Sequence, residues 1–482
     1  MTSLHDLTVP IPHDAKSLQA PLNTPEGLRQ SLKYLQGNIL RGHGRDGSVH
    51  IFLSFTPRQE GNVKKWIKEL AEHITCAQQQ LDDTKQYRDY DIPGPVFMSF
   101  FLSASGYRYL LGLPRNGHLD LNDEAFLHGM KAAQHRLNDP PPEKWQKEYR
   151  NGIHAMLLLA DDDESTLLQE TRQHLKGIKP YAEICAVERG RVLRNAQGDS
   201  IEHFGYADGH SQPLFFQEDI NRARQRGNRT DLWDPGAGPD LVLVPDPYGR
   251  KESDSASGVV RYLDSGSYMV FRKLEQNVRK YKESEKELAK VLGLSEENTK
   301  QAGALVMGRF EDGTPIVIQP TAGRPTNNFT YDEDPDGEKC PLQAHTRKVN
   351  PRQRGTPRIV RRGITYGERW KEPKYNPSLE ELPSEGVGLL FMCYQANIEK
   401  QFEFLQHAWA NNPHFPAKQA PGIDPVIGQP GGNGTGQQKW PAQWNDSSEQ
   451  HKPFDLHGCV TLKGGEYFFA PSLYFLENIM NL

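Results

Sequence analysis

The sequence is poor in cysteine. Its five thiols, Cys76, Cys185, Cys340, Cys393 and Cys459, include no CxxC pair. That spacing argues against a disulfide framework and a structural zinc site, and suits thiols kept reduced. Long apolar runs are lacking as well: the longest, residues 387–394, falls far short of the roughly 20 residues that cross a bilayer. Charge of one sign is not in excess, with Lys+Arg 57 against Asp+Glu 62 and a formal net charge of -5. Neither nucleic acid nor an anionic membrane surface is therefore expected as a partner. Residues 1–22 carry no basic n-region and no apolar h-region, so no secretory leader is expected and a cytoplasmic location is.

What is present is a mixed pattern in a chain of 482 residues, long enough for two to three domains. Residues 1–24 are polar and broken by proline, and read as an N-terminal extension; Thr24, Pro25 and Glu26 have the form of a helix start. Residues 49–55 read as a strand by β-branched and aromatic content. Val63, Trp66, Ile67, Leu70 and Ile74 recur at helical spacing. Strands follow at 96–102 and 154–159, a helix opens at the acidic run 161–164, and residues 181–193 close the set. Strand, helix, strand, strand, helix, strand is the ferredoxin-like order. A similar order recurs: strand 267–274, helix 276–293, short strand 315–319, strand 388–395, helix 398–409, strand 459–469. The expected fold is α+β, with two ferredoxin-like domains over 25–203 and 204–482. Irregular stretches at 222–251, 320–386 and 413–452 interrupt the second, and long loops inside compact proteins are usually functional.

The stretch richest in chemistry is Gly205-Tyr206-Ala207-Asp208-Gly209, flanked by His203 and His210. Glycines allow close backbone approach, so the carboxylate between them can be pressed against a ligand. Alone, the stretch also reads as a surface turn, because Asp-Gly is a common turn dipeptide. Later, CPLQAHTRKVNPR carries His345 between the acids Asp332, Glu333, Asp334, Asp336 and Glu338 and a basic run. Nearby carboxylates can orient a metal-ligating imidazole through its second nitrogen. RIVRRGITYG supplies Arg358, Arg361 and Arg362. No aromatic residue lies between Arg347 and Arg362 to stack a base. The arginines therefore suit a bound carboxylate or phosphate better than a nucleic-acid patch.

GYADG resembles the GxxDG motif of the dye-decolourising peroxidases. CPLQAHTRKVNPR is similar to that family's proximal-histidine segment, and RRGITYG to its distal-arginine segment. LQGNIL at 35–40 and FAPSL at 469–473 are similar to segments of its longer bacterial and fungal members. The resemblance spans nearly the whole chain, in order. It implies two ferredoxin-like domains, with haem b in the second. It implies hydrogen peroxide as oxidant and aromatic donors, bulky dyes included, oxidised one electron at a time. His345 is implied as the axial iron ligand. Asp208 and Arg361 are implied on the peroxide side, with Arg362 the alternate to Arg361. Gly205 and Gly209 would let the loop pass close to the porphyrin, Leu389 and Phe391 would line the distal pocket, and Arg347 would pair with a haem propionate. Thr365 stands where the family has proline. The first position to try for the acid behind the axial imidazole holds Thr330, which leaves Asp332, Asp334 and Glu403. Tyr206, Tyr366, Trp370 and Trp409 are candidate electron relays, and both monomer and homodimer stay open.

Two other classes fit parts of the pattern. One is a haem-handling or haem-sensing protein with weak peroxidase activity. The other is a non-haem metal-dependent hydrolase with His203, Asp208 and His210 as ligands, which leaves the His345 and Arg361 segments without a task.

Overall fold

The computed structural model describes residues 31–225, 230–253, 260–368, 377–416, 420–431, 434–447 and 451–481. The extension, the helix start near Thr24 and Trp370 lie outside the described residues. The first half is a single βαββαβ unit. Strand β1 (Gly47–Phe55) is followed by helix α1 (Glu60–Ala71), which buries Val63, Trp66, Ile67 and Leu70 on the sheet side. Helix α2 (Ala77–Tyr90), capped by the Cys76 sulfur, leads to β2 (Phe97–Leu102). Strand β3 (Ala155–Asp161) and helix α3 (Glu164–Ile178), capped by Asp163, precede β4 (Ala182–Arg191). β2 and most of β3 are buried without alternation, which is why they read as continuous apolar runs.

The second half repeats the order. A short β5 (Val244–Pro245) pairs with the start of β6 (Ser265–Gln276), and α4 (Val278–Leu292) follows. Next come α5 (Thr299–Met307) and the short α6 (His345–Val349). Strands β7 (Val360–Arg361) and β8 (Ile364–Tyr366) both pair with β9 (Gly388–Gln395). A helix over residues 399–410 and β10 (Val460–Ala470) complete the unit. All pairings are antiparallel, in the order β7-β9-β6-β10-β2-β3-β1-β4. Each half thus shows the ferredoxin order of fourth, first, third and second strand, and one pairing, Phe469 with Leu102, joins them.

Three details depart from the sequence reading. Residues 315–319 form no strand; Pro315 makes only an isolated bridge to Arg309. Ile316 and Val317 are apolar because they are buried in a core cluster with Phe204, Tyr206 and Phe310, not because they enter a ladder. The second strand of this half is instead the split pair β7 and β8. The helix over 399–410 is wound as a π-helix, with Glu403 N–H donating to the carbonyl of Ile398; a sequence period cannot reveal that winding. The supposed loop from residue 222 begins inside a helix, Gln217–Gln225.

The halves also meet face to face. Phe52 of β1 packs on Phe271 of β6 at 4.7 Å and on Phe468 of β10 at 6.4 Å. All three are fully buried, each worth about 1.5–3 kcal/mol of transfer free energy. Lys273 of β6 pairs with Glu188 of β4 at 2.7 Å. The Thr365 hydroxyl donates to the carbonyl of Arg191. The proline expected from the resemblance would have no donor for that tie between β8 and β4. Among the described residues no helix is long and apolar enough to cross a membrane.

Candidate active site

A cavity of about 280 Å³ opens in the second half, and every residue lining it lies at or beyond Glu202. Its floor is one face of three strands. Arg272, Leu274 and Gln276 alternate along β6, Leu389 and Phe391 along β9, and Val460 and Leu462 along β10. Register places them side by side: Leu274 faces Leu389 on one side and Leu462 on the other, and Gln276 faces Val460. Period-two alternation thus turns these side chains into the cavity.

The GYADG loop forms one wall. Gly205 has φ 101° and Gly209 φ 84°, left-handed conformations that glycine adopts freely. Glu202 closes the loop: its carboxylate accepts from the backbone N–H of Phe204 (2.8 Å) and Tyr206 (3.0 Å) and from Gln276 Nε2 (2.5 Å). Burial pushes the Glu202 carboxyl up. Tyr206 lines the cavity and donates through its hydroxyl to Glu285 at 2.9 Å. No protein atom lies within 4 Å of a side chain placed at Gly209, so within the polypeptide it is the left-handed backbone that opposes one. Gly209→Val is expected to cost about 1–3 kcal/mol of stability, read from chemical denaturation; unchanged stability would show that the loop does not need its left-handed turn.

Asp208 comes next to Arg361. Arg361 Nη1 donates to Asp208 Oδ1 at 2.9 Å, and both side chains are about one-third open, towards the cavity (36% and 33%). Burial works to raise the Asp208 carboxyl. The Arg361 charge and the hydrogen bonds from Gly209 N–H and Arg361 outweigh it, and the carboxyl lies below its ordinary range. The choice between the adjacent arginines is structural, since successive strand residues point to opposite faces. Arg362 turns away and donates to the carbonyls of Asn38 (2.8 Å) and Ile39 (3.2 Å), within the LQGNIL segment.

His345 opens α6 and lines the same cavity. Its Nδ1 lies 2.8 Å from Oδ2 of Asp424, which is fully buried. A carboxylate only accepts, so Nδ1 carries the hydrogen and Nε2 keeps its lone pair. Asp424 Oδ1 is held by the N–H groups of Val426 (2.8 Å) and Ile427 (2.9 Å). This corrects the sequence expectation. Asp332 bonds to Thr330, Asp334 to Arg347, and Glu403 to Tyr467; none reaches the imidazole.

Arg347 is also redirected. It donates to Asp334 Oδ2 at 2.7 Å and to the Cys340 carbonyl at 2.5 Å, lies over Tyr331, and is absent from the cavity lining. Of the five arginines that line the cavity, Arg272 is paired with Asp139, Arg361 with Asp208, and Arg358 is half-buried; the two further guanidiniums, both nearly buried, are Arg309 and Arg352. They are held by carbonyl and side-chain oxygens such as Gly313 O and Asn327 Oδ1. Among the described residues neither meets a carboxylate. Burial pushes Arg309 down to about 10 and Arg352 to about 9.

His203 turns from Asp208 to the Tyr366 carbonyl at 2.8 Å, whereas His210 reaches the cavity. Among the described residues no three His, Cys, Asp or Glu side chains converge as a metal site. Of the relay candidates described, Tyr206 lines the cavity; Tyr366 and Trp409 are buried elsewhere.

Comparison with known proteins follows the same division. Residues 34–192 match the DyP dimeric alpha+beta barrel domain, and residues 255–415 match the Dyp-type peroxidase C-terminal family. The multifunctional dye peroxidase DyP2 of Amycolatopsis sp. is 39% identical, over 93% of this chain and 96% of that protein. The crystal structure of a DyP-type peroxidase from Anabaena sp. superposes with a TM-score of 0.85 at 41% identity, over 98% of this chain and 97% of that one. A dye-decolorizing peroxidase solved in complex with 2,6-dimethoxyphenol gives 0.74 at 27% identity, over 94% and 99% of the two chains. The family is haem-dependent. With both of its halves matched and its relatives covered nearly end to end, the chain belongs to the dye-decolourising (DyP-type) peroxidases.

Proposed function

We propose that this peroxidase binds haem b in the cavity through His345 Nε2, reduces hydrogen peroxide there, and oxidises aromatic donors, dyes among them, one electron at a time. One observation carries the reading: a single cavity gathers an imidazole backed by a buried carboxylate and a carboxylate paired with an arginine. The lining fits the group. Leu274, Leu389, Phe391, Val460 and Leu462 offer apolar surface to a porphyrin. Arg309 and Arg352, nearly buried and meeting no carboxylate among the described residues, suit its propionates, the task first assigned to Arg347. The same reading divides the chain into halves 25–203 and 204–482; apart from Glu202, the residues that line the cavity lie in the second.

When bound, haem iron would supply an open coordination position at which the peroxide O–O bond is cleaved. Asp208 takes the first proton from hydrogen peroxide and returns it to the departing oxygen, which leaves as water. Arg361 keeps Asp208 ionised and places fixed positive charge where negative charge develops. Asp424 fixes the tautomer of His345 and strengthens its electron donation. Phenolic donors are supported by the dimethoxyphenol complex of a relative.

The test is an absorption spectrum after expression with a haem precursor, followed by peroxide-dependent oxidation of 2,6-dimethoxyphenol and an anthraquinone dye. A Soret band and turnover of both donors are expected; a protein that takes up no haem overturns the reading. The pH dependence carries a sign. Asp208 acts as its ionised form, and its carboxyl is lowered, so the base persists as pH falls past the reference value of about 3.9 and is lost only below it. The rate with peroxide should therefore stay level through mildly acidic solution. A midpoint near the histidine value of about 6.5 would count against Asp208.

A further inference from the structure

We propose that Lys348 is a positioning residue of the proximal side, whose buried ammonium joins the turn bearing Asp424 to the helix bearing His345. The inference rests on reading His345 as the iron ligand. Lys348 stands one turn after His345 on α6 and is 1% exposed. Its Nζ donates to the carbonyls of Asn412 (3.0 Å), Phe415 (2.7 Å) and Gly422 (2.5 Å). An ammonium has three donors and no acceptor, so these carbonyls use it completely. Among the described residues no carboxylate touches it; Asp424 acts on it only through space. A buried cation without an ion-pair partner is costly unless its hydrogen bonds are complete, which explains the convergence of three carbonyls on one atom.

The last of those carbonyls, Gly422, stands two residues before Asp424. Asp424 closes its own turn through Val426 and Ile427 N–H, and Gly428 N–H returns to its carbonyl at 3.0 Å. Those bonds shape the turn locally. Lys348 ties the turn to α6, so one five-residue helix carries both the imidazole and the clasp that sets the position of its acid.

Removing the ammonium has two electrostatic consequences of opposite sign. Loss of a buried positive charge, by itself, favours iron(III) and moves the potential negative. Loss of the Asp424 contact makes the imidazole a weaker donor and moves it positive. The experiment is a spectroelectrochemical titration of the haem-loaded full chain as wild type, Lys348→Met, Asp424→Asn and the double variant. Lys348→Met is expected to shift the iron(III)/iron(II) potential positive, in the direction of Asp424→Asn. The double variant should show no further positive shift beyond Asp424→Asn and lie at or somewhat negative of it, because the Asp424 contact is already lost and only the loss of the Lys348 charge remains. An unchanged or more negative potential in Lys348→Met, or additive shifts, overturns the proposal. If Lys348→Met does not fold, Lys348→Gln is titrated in its place; if neither variant folds and holds haem, Lys348 serves folding alone and the proposal is overturned. A wild type without a Soret band would instead defeat the haem reading itself.

Discussion

Asp208→Asn is expected to slow the reaction with hydrogen peroxide by about 10²–10⁴-fold, the range for loss of a positioned acid–base group. The substitution keeps the shape of the side chain and an oxygen to accept the Gly209 N–H. It removes the only property the chemistry uses, a carboxylate able to take and return a proton. Stability should hardly change. The Asp208–Arg361 pair is about one-third open on each side, and exposed pairs contribute only about 0–1 kcal/mol. Haem content should stay at the wild-type level, because the side chain is assigned no contact with the group. Stopped-flow mixing with peroxide, alongside haem quantification and thermal unfolding, separates these outcomes. A wild-type rate in a variant with normal haem would remove Asp208 from the reaction. A proportional fall in rate and haem content would make the loop a scaffold instead.

How far the sequence reached depends on whether each feature was local. Strands 49–55 and 388–395 were legible because β-branched, aromatic and other apolar residues dominate them and most are buried, and 459–469 because its end, Tyr467 to Phe469, is aromatic and fully buried. Asp208 was singled out by the resemblance of its loop to GxxDG, since the glycine pair alone also fits a surface turn; both glycines do have positive φ, and the side chain reaches the cavity beside Arg361. The resemblance already favoured Arg361 with Arg362 the alternate, and the pairing of β7 with β9 turns Arg361 to the cavity while Arg362 bonds to Asn38 and Ile39. Asp424 was hidden. It meets His345 across 79 residues, inside a stretch of glycine and proline with no periodicity. Asp332 and Asp334 stand much nearer to the histidine in sequence than it does. Its one local signal is Asp-Pro within GIDPVIG, a turn-forming pair. Glu202 was missed for a similar reason: its task is to accept two backbone N–H groups of the loop it precedes, a role without a spacing rule. Arg347 misled in the opposite way. Proximity to His345 suggested a haem contact, but on α6 it points to Asp334 and Tyr331.

His345→Ala is expected to abolish stable haem binding, read as loss of the Soret band from protein purified after expression with a haem precursor. The apolar floor and the Arg309 and Arg352 guanidiniums would remain, so weak, spectrally altered uptake from excess haem is compatible with the assignment. A wild-type spectrum is not. The variant should also fold less stably, because Asp424 is fully buried and loses one of its partners. Its other oxygen keeps the Val426 and Ile427 N–H groups, which limits the cost to about 1–3 kcal/mol, that of an unsatisfied buried acceptor. Adding Asp424→Asn to His345→Ala removes the buried charge and should recover part of that stability without recovering haem. Free imidazole offers a direct check of the ligand role. It can enter the space vacated by the ring, donate one N–H to Asp424 and present its other nitrogen to iron. Restoration of the Soret band by imidazole in His345→Ala, but not in the double variant, would tie haem binding to the axial nitrogen and to the carboxylate that orients it. If imidazole restores the band equally in both, Asp424 tunes the ligand without being needed to seat it.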